Sequence, residues 1–411
     1  MTPKTNCIYK IDSKILVYIF LSVPFIEPQL FKTGGFELFD RFFLVMKLVA
    51  SCALFIDYCF QFNLKFSKYV VFMILSQVAT LIGTVLIQGS VVRFMGPALI
   101  SISMLMIVEL ANRVDLKSYL LGIQYYLELL LGLHYLTFIP RFLRIHPFAD
   151  TTNTILGIEN RWIYVMLPLT ILAFLNSYIM HRRFTMHAYI IGFLSFFSIA
   201  YAWSAGAMVA FISFFTMLLC ARKINKRVLN AKTMFLLFSV LNYLLVSEIL
   251  LDSISFIIRD YLKKDITLSG RVYLWRTVFK LLQSNPLFGY GVHSSESDMR
   301  MFFLSSHGVN GTAVNHPHNH LMNVAFHGGW MALLFFLIII IFVVFTIDKI
   351  EDRKLYAIFY AGMTAVFTAA LVDTLDYSLF YMLISLPFLF FKRNANGILE
   401  PFHIYKILSG D

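Results

Sequence analysis

Apolar residues run along this chain in long, nearly unbroken stretches instead of alternating with polar ones. The stretches fall at about 14–31, 36–60, 68–88, 91–111, 115–138, 161–181, 185–201, 203–221, 232–250, 324–347, 355–372 and 375–391. Each is long enough to cross a hydrocarbon core as a helix, the form in which a backbone satisfies its own polar groups without water. The pattern predicts an all-α, polytopic membrane bundle of about 12 transmembrane helices. Composition agrees: of 411 residues 59% are hydrophobic and 14% charged, a balance that a water-soluble globule of this length does not need. The first stretch carries Pro24, Glu27 and Pro28 and lacks a small-residue cleavage site, so it is expected to be a retained span.

The net charge of +11 reports topology and contact with anionic membrane lipids here, not nucleic acid. Lys4, Lys10, Lys14, Lys65, Lys68, Arg113, Lys117, Arg182, Arg183, the run Arg222 to Lys232, Lys349, Arg353, Lys354, Lys392 and Arg393 all fall on one side of the predicted bundle. Short loops rich in Lys and Arg stay in the cytoplasm, which places both termini there and leaves residues 392–411 as a cytoplasmic tail. Two long connections, about 139–160 and 251–323, then lie on the outer side, where function is expected. No internal repeat or linker divides the chain, so residues 1–411 form a single integral membrane domain in which 251–323 is the large extracytoplasmic loop. The four cysteines show neither metal nor redox spacing; Cys52 and Cys59 read as small residues on one helix face.

Candidate chemistry gathers between Leu268 and Trp330, which hold six of the 11 histidines. Ser269 is placed to cap a helix starting at Arg271, with Trp275, Val278 and Leu282 on one side and Arg276, Lys280 and Gln283 opposite, an amphipathic helix at the membrane surface. It should stop at Asn285-Pro286, before the tight turn Gly289-Tyr290-Gly291. Arg271 projects from the apolar side, a position equally suited to a snorkelling interfacial arginine. His316-Pro317-His318-Asn319-His320 precedes a span, with Pro317 suited to the start of a helix. There the helix dipole disfavours imidazolium, so His318 could stay neutral and accept a proton from an attacking hydroxyl, while a satisfied interfacial histidine is the plainer reading of any single one. A metal held by these histidines with His293, His307 or His327 is disfavoured, because no Asp, Glu or Cys completes a familiar set nearby.

Further arginines on the outer side need a reason against the positive-inside bias: Arg41, Arg93, Arg141, Arg144 and Arg161. An anionic ligand such as a diphosphate suits the planar, permanently charged guanidinium, although pairing with Asp40, Asp150 or Glu159 explains any one of them. Asp373 and Asp376, in the turn VDTLDYS, read first as helix caps and second as partners for a sugar hydroxyl or an arginine.

The motifs SGRVYLW, NPLFGYG, HPHNHL and a downstream GG before an apolar stretch resemble the C-terminal signature of the O-antigen polymerase (Wzy) and O-antigen ligase superfamily of bacterial membrane glycosyltransferases. The resemblance covers about residues 265–347. It implies a GT-C-like enzyme in the bacterial inner membrane, acting at its outer face on undecaprenyl-diphosphate-linked oligosaccharide. It implies neither metal nor other cofactor, and a chain-length regulator protein as partner. On the matching motifs it makes His318 the catalytic base and Arg271 a catalytic arginine. Arg161, Arg93, Arg276, Asn319, His316 and His320 are the candidate substrate-binding residues, of which Arg161 is placed by its position at the start of a span, and Arg93 and Arg276 by topology and helix geometry. The base stays open among His316, His318 and His320. A polymerase is favoured over a ligase because the loop pattern is compact and rich in aromatic residues. A flippase of lipid-linked oligosaccharide is the reading from a different class, and it gives the histidine motif no role.

Overall fold

The computed structural model describes residues 12–32, 36–143, 154–249, 255–256, 259–260, 270–303, 316–375, 378–389, 391–393 and 399–401. Expectations for Ser269, Arg144, His307, Asp376 and most of the two outer connections lie outside these residues. The predicted apolar stretches return as helices: α1 Ser13–Ser22, α2 Glu37–Phe62, α3 Lys68–Leu86, α4 Val91–Val114, α5 Leu116–Phe142, α6 Ile163–His181, α7 Met186–Tyr201, α8 Ala205–Lys223, α9 Ala231–Val246, α12 His320–Ile347, α13 Arg353–Ala370 and α14 Ser378–Leu389. Between α9 and α12 come α10, Arg271–Ser284, and α11, Ser295–Phe303. Strands β1, Phe391–Arg393, and β2, Leu399–Pro401, form a small antiparallel pair after α14.

Among the described residues, seven helical segments are long and apolar enough to cross a membrane; α7, α9 and α14 are shorter apolar helices. The protein is thus a polytopic helical membrane bundle. Leu38, Phe42, Leu48, Ile56 and Phe60 stand exposed along α2, a surface that suits lipid and would not suit water. By contrast every residue of α6 from Ile163 to Ile179 is buried. Helix α6 packs against α5, α7 and α13, and α13 lies along α8, so the core is all-helical with α6 inside it.

Local sequence explains where the helices start and stop. Pro24 and Pro28 interrupt the first apolar stretch, and the chain continues through two short 3-10 turns, Val23–Phe25 and Gln29–Lys32, which bury Glu27 and Gln29. Lys47 of α2 answers Glu27 with an ion pair. Helix α12 begins four residues before the predicted apolar stretch because Asn319 caps it, its Oδ1 accepting the Met322 N–H at 3.0 Å. At the start of α10 the cap position is taken by Gly270, at φ +85°. Glycine adopts that left-handed backbone without steric cost.

The two glycine motifs interlock. Gly329 breaks α12 at φ +65°, ψ −168°, and the turn after α10 fills the break. Trp330 N–H donates to Pro286 O at 2.8 Å and Met331 N–H to Leu287 O at 3.2 Å. In the other direction Tyr290 N–H donates to Phe326 O and Gly291 N–H to His327 O, both at 2.8 Å. Backbone groups released by the kink therefore find partners in NPLFGYG, which docks α10 and α11 onto α12.

Candidate active site

The end of α13 and the start of α12 meet through residues that flank the histidine motif. Asn319 Nδ2 donates to Leu371 O at 3.1 Å and to Asn242 Oδ1 of α9 at 2.7 Å. His320 Nδ1 accepts the Leu375 N–H at 3.2 Å, and its ring lies edge-on between Phe336 and Phe380. Both residues are buried, so Asn319 and His320 act as buckles that hold the turn at 371–375 against the first turn of α12. Substrate would reach neither easily.

That placement brings Asp373 to His318. His318 Nδ1 and Asp373 Oδ1 lie 3.3 Å apart, Tyr164 of α6 donates its hydroxyl to Asp373 Oδ2 at 2.7 Å, and Thr374 N–H donates to Oδ1 at 2.8 Å. Burial by itself would raise the Asp373 pKa; the hydrogen bond and charge of His318, with the bonds from Tyr164 and Thr374, outweigh it and hold the carboxyl below its ordinary value. An ionised Asp373 accepts, so in the neutral form of His318 the proton sits on Nδ1 and the lone pair on Nε2. The His318 side chain keeps 27% of its surface open, and its backbone is held at φ +48°, a strained conformation for a residue with a side chain.

Helix α10 closes one side. Trp275 is fully buried and its indole N–H donates to Pro317 O at 2.8 Å, which seats the helix under the histidine motif. The Arg271 guanidinium then comes within electrostatic reach of Asp373 and Tyr164: burial lowers its pKa, and those two groups push it back up. The His316 ring lies tilted against that of His318 with ring centres 4.0 Å apart, and its Nδ1 accepts the His318 N–H at 3.4 Å. Burial, reinforced by the charge of His318, lowers the His316 pKa to about 3; Arg161 and His327 push the same way and Asp373 opposes them. Arg161 donates to Gln29 Oε1 at 3.4 Å, and its charge also acts on Lys32.

Four of the candidates from the sequence therefore converge: Arg271, His318, His316 and Arg161. Arg276 does not join them. It is exposed on the far side of α10 and takes Glu248 in a two-pronged ion pair. Arg93, at the first turn of α4, acts on Asp298 of α11 in an adjoining cluster. Sequence reading ranked Asp373 first as a cap; its bond from Thr374 N–H fits that role, and the contacts to His318 and Tyr164 add a second. Tyr164, Gln29 and Lys32 were missed. Only Tyr164 carried a signal, three residues after Arg161 and so close to its helix face.

His316, His318 and Asp373 each offer one donor atom, all within 4.8 Å of one another, so a carboxylate does complete a possible ligand set here. Two guanidinium groups, Arg271 and Arg161, lie within electrostatic reach of that set, and added positive charge favours an anion over a cation.

Residues 190–337 match the family model Wzy_C, described as O-antigen ligase. The matched segment takes in Arg271, Trp275, the histidine motif and Gly329; Arg161, Tyr164 and Asp373 lie outside it. That segment is thus similar to a domain of the O-antigen polymerase and ligase superfamily, whose members are glycosyltransferase-like enzymes. No curated protein and no solved structure matches the chain.

Proposed function

We propose that a chain with this domain is a polysaccharide polymerase of the bacterial inner membrane, with both termini in the cytoplasm. It would join undecaprenyl-diphosphate-linked repeat units at the outer face by a metal-independent transfer of GT-C type. The observation that carries the reading is the Asp373–His318 pair within electrostatic reach of Arg271. Asp373 positions the imidazole and fixes its tautomer, leaving Nε2 of His318 to accept the proton of an acceptor sugar hydroxyl. That hydroxyl oxygen attacks the anomeric carbon of the donor glycan as the bond from that carbon to the diphosphate oxygen breaks. The departing lipid diphosphate gains negative charge, which Arg271 and Arg161 are placed to stabilise, with Lys32 close to Arg161. A single displacement of this kind inverts the anomeric centre. Burial lowers the basicity of His316, and His320 is sequestered between two phenylalanines, whereas His318 is partly open to an acceptor.

The ligase reading, in which the glycan passes to a lipid A core sugar, is favoured by the description of the matching family. Chain growth from purified lipid-linked repeats in EDTA separates the two. Growth by the wild type that is lost in His318→Ala and Arg271→Ala supports the polymerase. Transfer only after a lipid A core acceptor is added makes it a ligase. Activity lost in EDTA and restored by zinc would turn His316, His318 and Asp373 into metal ligands and remove His318 as the base.

A further inference from the structure

Beside this site lies a second polar cluster, in which one carboxyl stands among two imidazoles and Arg93. Val292 is clamped between two helices: its N–H donates to Thr84 Oγ1 of α3 at 3.0 Å, and its carbonyl accepts the Ser90 N–H at the start of α4 at 2.7 Å. His293 is therefore held beside the first turn of α4, which carries Arg93. One residue on, Ser294 begins α11, its hydroxyl accepting the Ser297 N–H at 3.1 Å and its carbonyl the Asp298 N–H at 3.0 Å. The helix is anchored by Phe302, fully buried with its ring 5.1 Å from Phe326 of α12. His327 follows Phe326 and contacts Gly291 O through Nδ1 at 2.7 Å. A carbonyl only accepts, so Nδ1 of His327 carries a proton and donates it to this bond.

Asp298 stands among these groups at 7% exposure; burial raises its carboxyl pKa, and the charges of His327, His293 and Arg93 oppose that rise. Its Oδ1 and the Nε2 of His293 are buried without a hydrogen-bond partner among the described residues. Leaving such atoms unpaired is costly, and a bound molecule with hydroxyl groups would recover that cost. The cluster adjoins the first site, since the charge of His327 also reaches His316. A carboxyl offers a diphosphate no donor comparable to a guanidinium, whereas it can accept from the hydroxyls of a neutral sugar whose oxygens can accept from an imidazole N–H in turn.

We infer that Asp298 and His293, with His327, form the subsite for the acceptor sugar, holding its ring hydroxyls so that the attacking one meets His318. This rests on the glycosyl-transfer reading above. Charge divides the labour: the arginines beside His318 take the lipid diphosphate, and the carboxyl-imidazole cluster takes the uncharged sugar.

The test varies a synthetic repeat-unit oligosaccharide on a short neutral alkyl tether as acceptor, at a fixed concentration of lipid-linked donor, using the full chain in bilayers. Asp298→Asn should raise the acceptor KM at least about tenfold while kcat stays within about threefold. His293→Gln should shift KM in the same direction. Calorimetric affinity for undecaprenyl diphosphate and the thermal midpoint should match the wild type in both variants, which separates lost recognition from lost folding. Equal weakening of undecaprenyl diphosphate binding would overturn the subsite in favour of a diphosphate or structural role, and unchanged acceptor kinetics in both variants would remove it outright. A wild type that transfers glycan to no sugar acceptor would overturn the functional reading and the subsite with it; an active wild type with unaltered variants removes the subsite alone.

Discussion

His318 and Asp373 are 55 positions apart in sequence, yet their side chains meet at 3.3 Å because Asn319 and His320 bind the turn after α13 to the first turn of α12. The residues flanking the base thus build its environment. Asp373→Asn should retain the fold and lower the rate of chain growth by about 10²- to 10⁴-fold, the range a positioned general base contributes. An asparagine can present its amide N–H to Nδ1 and favour the wrong tautomer. A rate within about threefold of wild type would show that Asp373 only caps its turn.

Arg271 and Arg276 share a helix and differ in surroundings. Arg271→Lys keeps the charge and loses the planar fork, and should cost about 10²- to 10³-fold in kcat, the scale of one lost donor to developing charge. Arg276→Ala removes an exposed ion pair with Glu248 and should leave kcat within about threefold. Rates of diphosphate release from the two variants provide the comparison, and the assignment fails if their ranking is reversed.

Acid should destabilise the protein through His316. Its folded pKa, near 3, lies below the ordinary value of 6.5, so its contribution to stability is complete above pH 6.5 and is lost as pH falls toward 3. The expected slope in that window is on the order of 1 kcal/mol per pH unit. Thermal midpoints at pH 7, 5.5 and 4.5 should therefore fall less steeply for His316→Gln than for wild type, and parallel curves would show that the buried ring is not the group that titrates.

The glycine interlock predicts a stability effect at a distance from any ligand. Gly329→Ala forces a side chain into φ +65°, ψ −168°, where its Cβ would also collide with the Leu287 carbonyl. The backbone conformation alone should cost about 1–3 kcal/mol, read as a lower thermal midpoint in detergent. Gly96→Ala, in a helix with open space around the added carbon, should be neutral or slightly stabilising.

By itself the sequence determined the helices and their order. Long apolar stretches leave the backbone no other way to satisfy its polar groups in lipid, and proline, glycine and capping residues mark their ends over a few positions. It also singled out Arg271 and the histidine motif, because polar residues in so apolar a chain are conspicuous. Only the tertiary structure decided which polar residues act together. Asp373 and Tyr164 join His318 from the turn after α13 and from α6, His320 is turned into a phenylalanine pocket two positions from a partly open His318, and Arg276 is exposed while Arg271 is partly buried. Those outcomes depend on contacts between helices far apart in the chain, which local pattern does not encode: hydropathy decides that a segment spans, and the packing of its neighbours decides what each side chain meets.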